Sequence, residues 1–98
     1  MKSLDGAYVS ERKEVVLDIN GRKVKLYVNQ IGFAQQQSIA INANNPDISY
    51  IASLISASVT DESGSRMTYD EALRLKKEYA EPLCAAISEL LDGEPEKN

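Results

Sequence analysis

ISYIASLISASVTDESGSRMTYDEALRLKKEYAEPLCAAISELLDG, residues 48–93, decides how the rest of the chain is arranged. It reads as an apolar helix, a tight acidic turn and a second, longer helical stretch. The three residues before it, Asn45-Pro46-Asp47, have the chemistry of a helix start. Asn45 can cap, Pro46 suits the first helical position, and Asp47 complements the positive end of the helix dipole. The spacing predicts a helix over residues 46–59. It puts Ile48, Ile51, Ala52, Ile55 and Val59 on one stripe, Ser49, Ser53 and Ser56 on another, and Tyr50 and Leu54 between them. A helix apolar on more than one face is central to a core or packed on two sides, and the second side can be a partner chain.

Residues 60–65, TDESGS, read as a turn. A calcium loop of the EF-hand type needs Gly at its sixth position and Glu at its twelfth. Counted from Asp61, glycine falls at position 4 and position 12 is Ala72, so no metal site is expected. Thr68 and Glu71 have the spacing of a capping box and open a helical stretch over residues 68–91. Ala72, Leu75, Tyr79, Leu83, Ala86 and Leu90 recur every three or four residues along it. Pro82 interrupts the stripe, which predicts a kink, or two helices with the break near Glu81. Asp92-Gly93 is a stop signal, and residues 94–98 are expected to be a disordered tail.

Upstream of the decisive stretch, KEVVLDI and RKVKLYV flank Asn20-Gly21 and predict a hairpin over residues 13–29 with a type I′ turn. A two-residue loop sets the pairing, with Ile19 opposite Arg22, Val15 opposite Leu26, Leu17 opposite Val24, and Asp18 opposite Lys23. One face is then apolar and the other polar, apart from Val16 and Tyr27. A lone hairpin is barely stable in water, so its apolar face must lie on the helices. Residues 31–42 favour a helix with Phe33, Ala34, Ala40 and Ile41 partly buried, although Ile39, Ile41 and Ala43 also alternate as a strand would. Residues 1–12 read as a flexible arm with a short strand at residues 7–9. The whole is a single α+β domain over residues 13–93, an N-terminal β-hairpin packed on a small bundle of three to four helices.

The composition excludes more than it identifies. A hydrophobic content of 43% with 27% charged residues is that of a globular chain rather than a disordered one. The single cysteine, Cys84, allows no internal disulfide, as expected of a reducing cytoplasm. No signal peptide and no run long enough for a membrane span is apparent, so a cytoplasmic, soluble protein without membrane partners is expected. Histidine is absent, and with it the commonest general base and metal ligand. The five glycines are scattered, so no phosphate loop forms. Cys84 sits on an apolar stripe, where a buried inert thiol is expected. No enzymatic activity, cofactor or metal is expected. The hairpin cations Arg12, Lys13, Arg22, Lys23 and Lys25 are the one cluster that could meet phosphates, but aromatic residues do not interleave with them and a solvated face accounts for them. No nucleic-acid partner is expected.

From the hairpin through Gly93 the chain resembles the tail assembly chaperones of long-tailed (siphovirus-type) bacteriophages. The resemblance rests on residues 54–64, LISASVTDESG, and 67–72, MTYDEA, with Pro82-Leu83, Ala86-Ile87 and Leu90 beyond them. The family shows a hydrophobic helix, then Val-x-Asp-x-x-Gly, then a Thr-x-Asp/Glu start to the next helix. Residues 30–45 carry no family signature. The resemblance implies a non-enzymatic role. Such chaperones bind the long helical tape measure protein in the infected cell, keep it soluble, recruit major tail tube protein and are absent from the mature virion. Many are made in two forms by a frameshift, and this chain would be the shorter form. Oligomers by self-association are also implied. A holdase needs apolar surface that covers its client's exposed helices, and the surplus helix faces offer Tyr50, Leu54, Ala57, Leu73, Ala80 and Ile87 as candidate contacts. The rival readings are a small virion adaptor or head–tail joining protein and, behind it, a nucleic-acid binder using the basic hairpin.

Overall fold

The computed structural model describes residues 2–92. The element order is β1 (Arg12–Ile19), β2 (Arg22–Asn29), α1 (Phe33–Asn42), α2 (Tyr50–Ser58), β3 (Val59–Asp61), α3 (Tyr69–Leu73) and α4 (Lys77–Asp92). It is an α+β fold: one antiparallel sheet in the order β1-β2-β3, with α2 and α4 packed on it and α1 and α3 packed on α2.

The hairpin has the register that its turn dictates. Ile19 lies opposite Arg22, Leu17 opposite Val24, and Val15 opposite Leu26. Asn20 and Gly21 both have positive φ, 54° and 83°, as the two centres of a type I′ turn require. The Asp18 carboxylate accepts from the Gly21 N–H at 3.0 Å and pairs with Lys23 at 3.0 Å, closing the turn from the polar face. Leu17 and Val28 are buried on the opposite face, beneath the helices.

The third strand is a departure from the sequence reading. Val59 continues the apolar stripe of the preceding helix, so residues 59–61 look helical or turn-like in isolation. Instead the chain leaves α2 at Ser58 and pairs with β2, Val59 opposite Val28 and Asp61 opposite Leu26. The junction is fastened by Asn29, whose Nδ2 donates to the Ser58 carbonyl at 2.9 Å and to Thr60 Oγ1 at 3.0 Å. An end carbonyl of α2, which has no partner within the helix, is thereby satisfied. Burial of Val59 and Val28 against Ile55 and Leu83, all four nearly inaccessible to solvent, outweighs one more turn of helix.

Two further boundaries move. The second helix starts at Tyr50 rather than Pro46. The Asn45 side chain is spent on a local turn, accepting from the Asp47 N–H at 2.9 Å. Ser49 takes the cap, accepting from the Ala52 N–H at 3.1 Å, while its own N–H donates to Tyr69 Oη at 2.9 Å. The stretch at residues 68–91 does divide, but at residues 74–76 and not near Glu81. Thr68 and Glu71 form the capping box of α3, which ends after five residues at Arg74. Pro82 is the sixth residue of α4 and is exposed, as is Glu78, whose carbonyl it leaves without its helical donor.

Helix α1 is present, but its buried side is not the expected one. Ile39 is buried, while Phe33 and Ile41 are 75% and 67% exposed and Ala34 and Ala40 are exposed too. Gln36 turns inward and donates to the Ile31 carbonyl at 3.2 Å, fixing that rotation. The N-terminal arm holds a short 3₁₀ turn, Lys2–Leu4, and no strand at residues 7–9. The Ser10 and Glu11 N–H groups donate to the Gln30 side chain at 3.1 and 3.2 Å, in place of a strand partner. The stop at Gly93 and the tail at residues 94–98 lie outside the described residues. Among the described residues, no helix is long and apolar enough to cross a membrane.

A candidate partner-binding surface on the uncharged helices

α1 (FAQQQSIAIN) and α2 (YIASLISAS) contain no charged residue. Between Lys25 and Arg66 the sequence has no cation, and its acids there are Asp47, Asp61 and Glu62, all outside the helices. Helices facing water ordinarily carry charges on the outer face. Here that face carries Phe33 and Ile41 on α1 and Tyr50 and Ile51 on α2, the last two 43% and 54% exposed.

Tyr50 and Ile51 form one wall of an apolar groove between α2 and α4. Leu54 lies in its floor, Cys84, Ile87 and Leu91 form the other wall, and the groove encloses about 220 Å³. Leu54 and Ile87 belong to the core, at 7% and 4% exposure, and present an edge to the groove rather than a free face. Burial raises the Cys84 thiol above its ordinary pKa of 9.0, and the nearby Glu81 carboxylate adds to it, so the thiol stays protonated and apolar at neutral pH. A second depression of about 390 Å³ opens where α1 meets the start of α2 and α3, lined by Ile41, Ile48 and Tyr69 with Asn42, Asn45 and Ser53.

Of the six residues proposed from sequence, Tyr50, Leu54 and Ile87 are brought together in the α2–α4 groove. Ala57 and Ala80 are half-buried and pack against the core. Leu73 is 51% exposed on α3, apart from the groove lining. The residues that sequence reasoning missed are Ile51, Phe33 and Ile41. Ile51 was assigned to the buried stripe because that stripe ran from Ile48 to Val59. The inward residues of α2 are Ala52, Leu54, Ile55 and Ser58, and Ile51 shares their side of the helix but lies in its first turn, where it is left half-exposed. The available signal was the absence of any charge in both helices.

A third depression, about 410 Å³, lies between β3 and residues 65–75 and has a mixed lining that includes Leu26, Val59, Arg66, Met67 and Glu71. Its polar groups are engaged in structure. Arg66 donates from Nη1 to the Ala57 carbonyl. Glu71 accepts from the Thr68 N–H at 2.9 Å, which lowers its pKa below the ordinary 4.5. The Asp61 carboxylate accepts from Ser63 Oγ and from the N–H groups of Ser63 and Ser65, and these bonds lower its pKa below the ordinary 3.8. The three hairpin lysines are likewise balanced locally. Lys13 pairs with Glu89, Lys23 with Asp18, and Lys25 lies 3.9 and 4.0 Å from Glu14 and Glu62. The Arg12 guanidinium stacks 4.3 Å from the centre of the Tyr27 ring.

Comparison with protein-family models, with curated proteins and with solved structures finds no match to this chain.

Proposed function

We propose that this chain is a tail assembly chaperone of a long-tailed bacteriophage, holding the apolar helices of the tape measure protein in the host cytoplasm until the tail is built. The observation that carries the reading is the pair of uncharged helices with Phe33, Ile41, Tyr50 and Ile51 exposed on them. Exposed apolar side chains without interspersed charges are an aggregation liability unless a partner covers them. An amphipathic helix laid along the α2–α4 groove would place its apolar stripe on Tyr50, Ile51 and Leu91. The Cys84 thiol in the groove is held in the protonated, apolar form. The likeness of residues 54–72 to the chaperone family names the client. A longer frameshifted form carrying this same domain would bring the major tail tube protein to the complex, and neither form would remain in the virion.

The test is co-expression with the tape measure protein of the genome that encodes the chain. The expected result is a soluble complex that co-purifies, and its loss when Ile51→Asp places a charge on the groove wall. Equal aggregation of the tape measure protein with and without the chain, or recovery of the chain in purified virions, would reject this function in favour of another or of a virion adaptor.

A further inference from the structure

The sheet has one closed edge and one open edge. On the β3 side, the Asp61 N–H donates to the Ser65 carbonyl at 3.0 Å, the Met67 N–H to the Val59 carbonyl at 3.4 Å, and Thr60 bridges to Arg66. On the β1 side, among the described residues, no backbone bond reaches the outer edge. Pairs closed by a two-residue loop bond each other at Ile19–Arg22 and then at every second position, so Ile19, Leu17, Val15 and Lys13 bond to β2. Arg12, Glu14, Val16 and Asp18 therefore direct their N–H and C=O groups outward. Natural edge strands are usually blunted by charged side chains, proline, a bulge or shortness, and of these β1 has the charges alone, Arg12, Lys13, Glu14 and Asp18, which are of both signs. β1 has eight residues, no proline, and an unbroken one-to-one register.

We propose that β1 pairs antiparallel with β1 of a second copy about a two-fold axis through Val15, joining two sheets into one of six strands. The sequence of the edge selects the occupant and the register. Outward-directed groups must oppose one another, which leaves few two-fold registers. An axis at Glu14 would put Glu14 against its own copy, and an axis at Val16 would put Glu14 against Asp18. The axis at Val15 alone among these sets Arg12 opposite Asp18 twice, with Glu14 opposite Val16, Lys13 opposite Leu17 and Val15 against Val15. The arrangement also has room for the helices. α4 packs across both β1 and β2, so its axis lies about 5 Å from the two-fold axis, and the two copies stand roughly 10 Å apart, a normal helix-packing distance. The flank of α4 on that side, fixed by the Lys13–Glu89 pair, carries the small exposed residues Pro82 and Ala85. This interface is separate from the α2–α4 groove and does not depend on the chaperone reading.

Sedimentation of the purified chain should give a dimer. Arg12→Asp and Asp18→Arg should each weaken self-association by roughly tenfold to a hundredfold, because two opposite-charge pairs become two like-charge pairs. An equimolar mixture of the two variants should recover the dimer, since each then supplies what the other lacks; this recovery also shows that both are folded. In a Cys84→Ser background, Val15→Cys should crosslink on oxidation and Lys13→Cys should not. A monomeric wild type, a dimer indifferent to both charge reversals, or crosslinking of Lys13→Cys as readily as Val15→Cys would overturn the proposal.

Discussion

Two carboxylates show how single residues hold the loops that frame this fold. Asp61 gathers three donors from Ser63 and Ser65, and Glu71 accepts from the Thr68 N–H while Thr68 Oγ1 accepts from the Glu71 N–H at 3.1 Å. Both groups have folded-state pKa values below their ordinary 3.8 and 4.5. A depressed carboxylate stabilises the folded state above its unfolded pKa, and that stability is lost as pH falls through the folded value. The melting temperature should therefore hold from neutrality to about pH 5 and decline below it, and the double variant Asp61→Asn, Glu71→Gln should decline less steeply. Thr68→Ala removes the cap outright and should cost about 1 kcal/mol in urea unfolding. At the same scale, burial separates core from surface along one helix. Leu83 is fully buried, and Leu83→Ala should cost about 2–5 kcal/mol, a large share of the stability of a domain this small. Ile51→Asp, at a half-exposed site, should leave the unfolding midpoint nearly unchanged, which makes it a clean probe of binding.

At the scale of elements, what was legible was what is local. The hairpin register follows from the two residues Asn20-Gly21 and from alternation alone, and every pair forms as read. The capping box of Thr68 and Glu71 is likewise a contact within four residues. What was not legible depends on partners distant in the chain. Val59 sits one turn after Ile55, so its spacing is helical, and only Val28 and Asn29, some thirty positions away, draw it into the sheet. Ser49 rather than Asn45 caps α2 because Tyr69 reaches it from α3. Asn29→Ala should test that long-range clamp, costing about 1–2 kcal/mol by leaving the Ser58 carbonyl unpaired beside a buried side chain. Pro82 is a different case, since the helix break expected beside it does not form and the stretch divides at residues 74–76 instead. α4 runs through it because the ring lies on the exposed face, but the missing bond at Glu78 remains a cost. Pro82→Ala should stabilise the chain by about 1–2 kcal/mol, the helix-interior penalty less the restriction that proline places on the unfolded state.

For the whole molecule, charge and apolar surface are segregated. The hairpin, residues 61–76 and α4 carry charges, with Lys13–Glu89 joining the hairpin to α4 and Lys23–Asp18 and Lys77–Glu81 paired within each. α1 and α2 carry none and expose their large side chains. The composition of those helices was readable from the start, but which of their residues stay uncovered was not, because that depends on what the rest of the fold lays against each turn. Half of the proposed contacts fall in the groove, and Ile51 joins them from the first turn of α2. This segregation is the physical basis of the chaperone proposal, and light scattering tests it most directly. Denatured tape measure protein, diluted into buffer, should aggregate alone and stay clear with stoichiometric wild-type chain. Ile51→Asp chain, folded by circular dichroism, should fail to protect it. Protection that is undiminished by Ile51→Asp would contradict the assignment of the α2–α4 groove, and scattering that is the same with and without the wild-type chain would contradict the function itself.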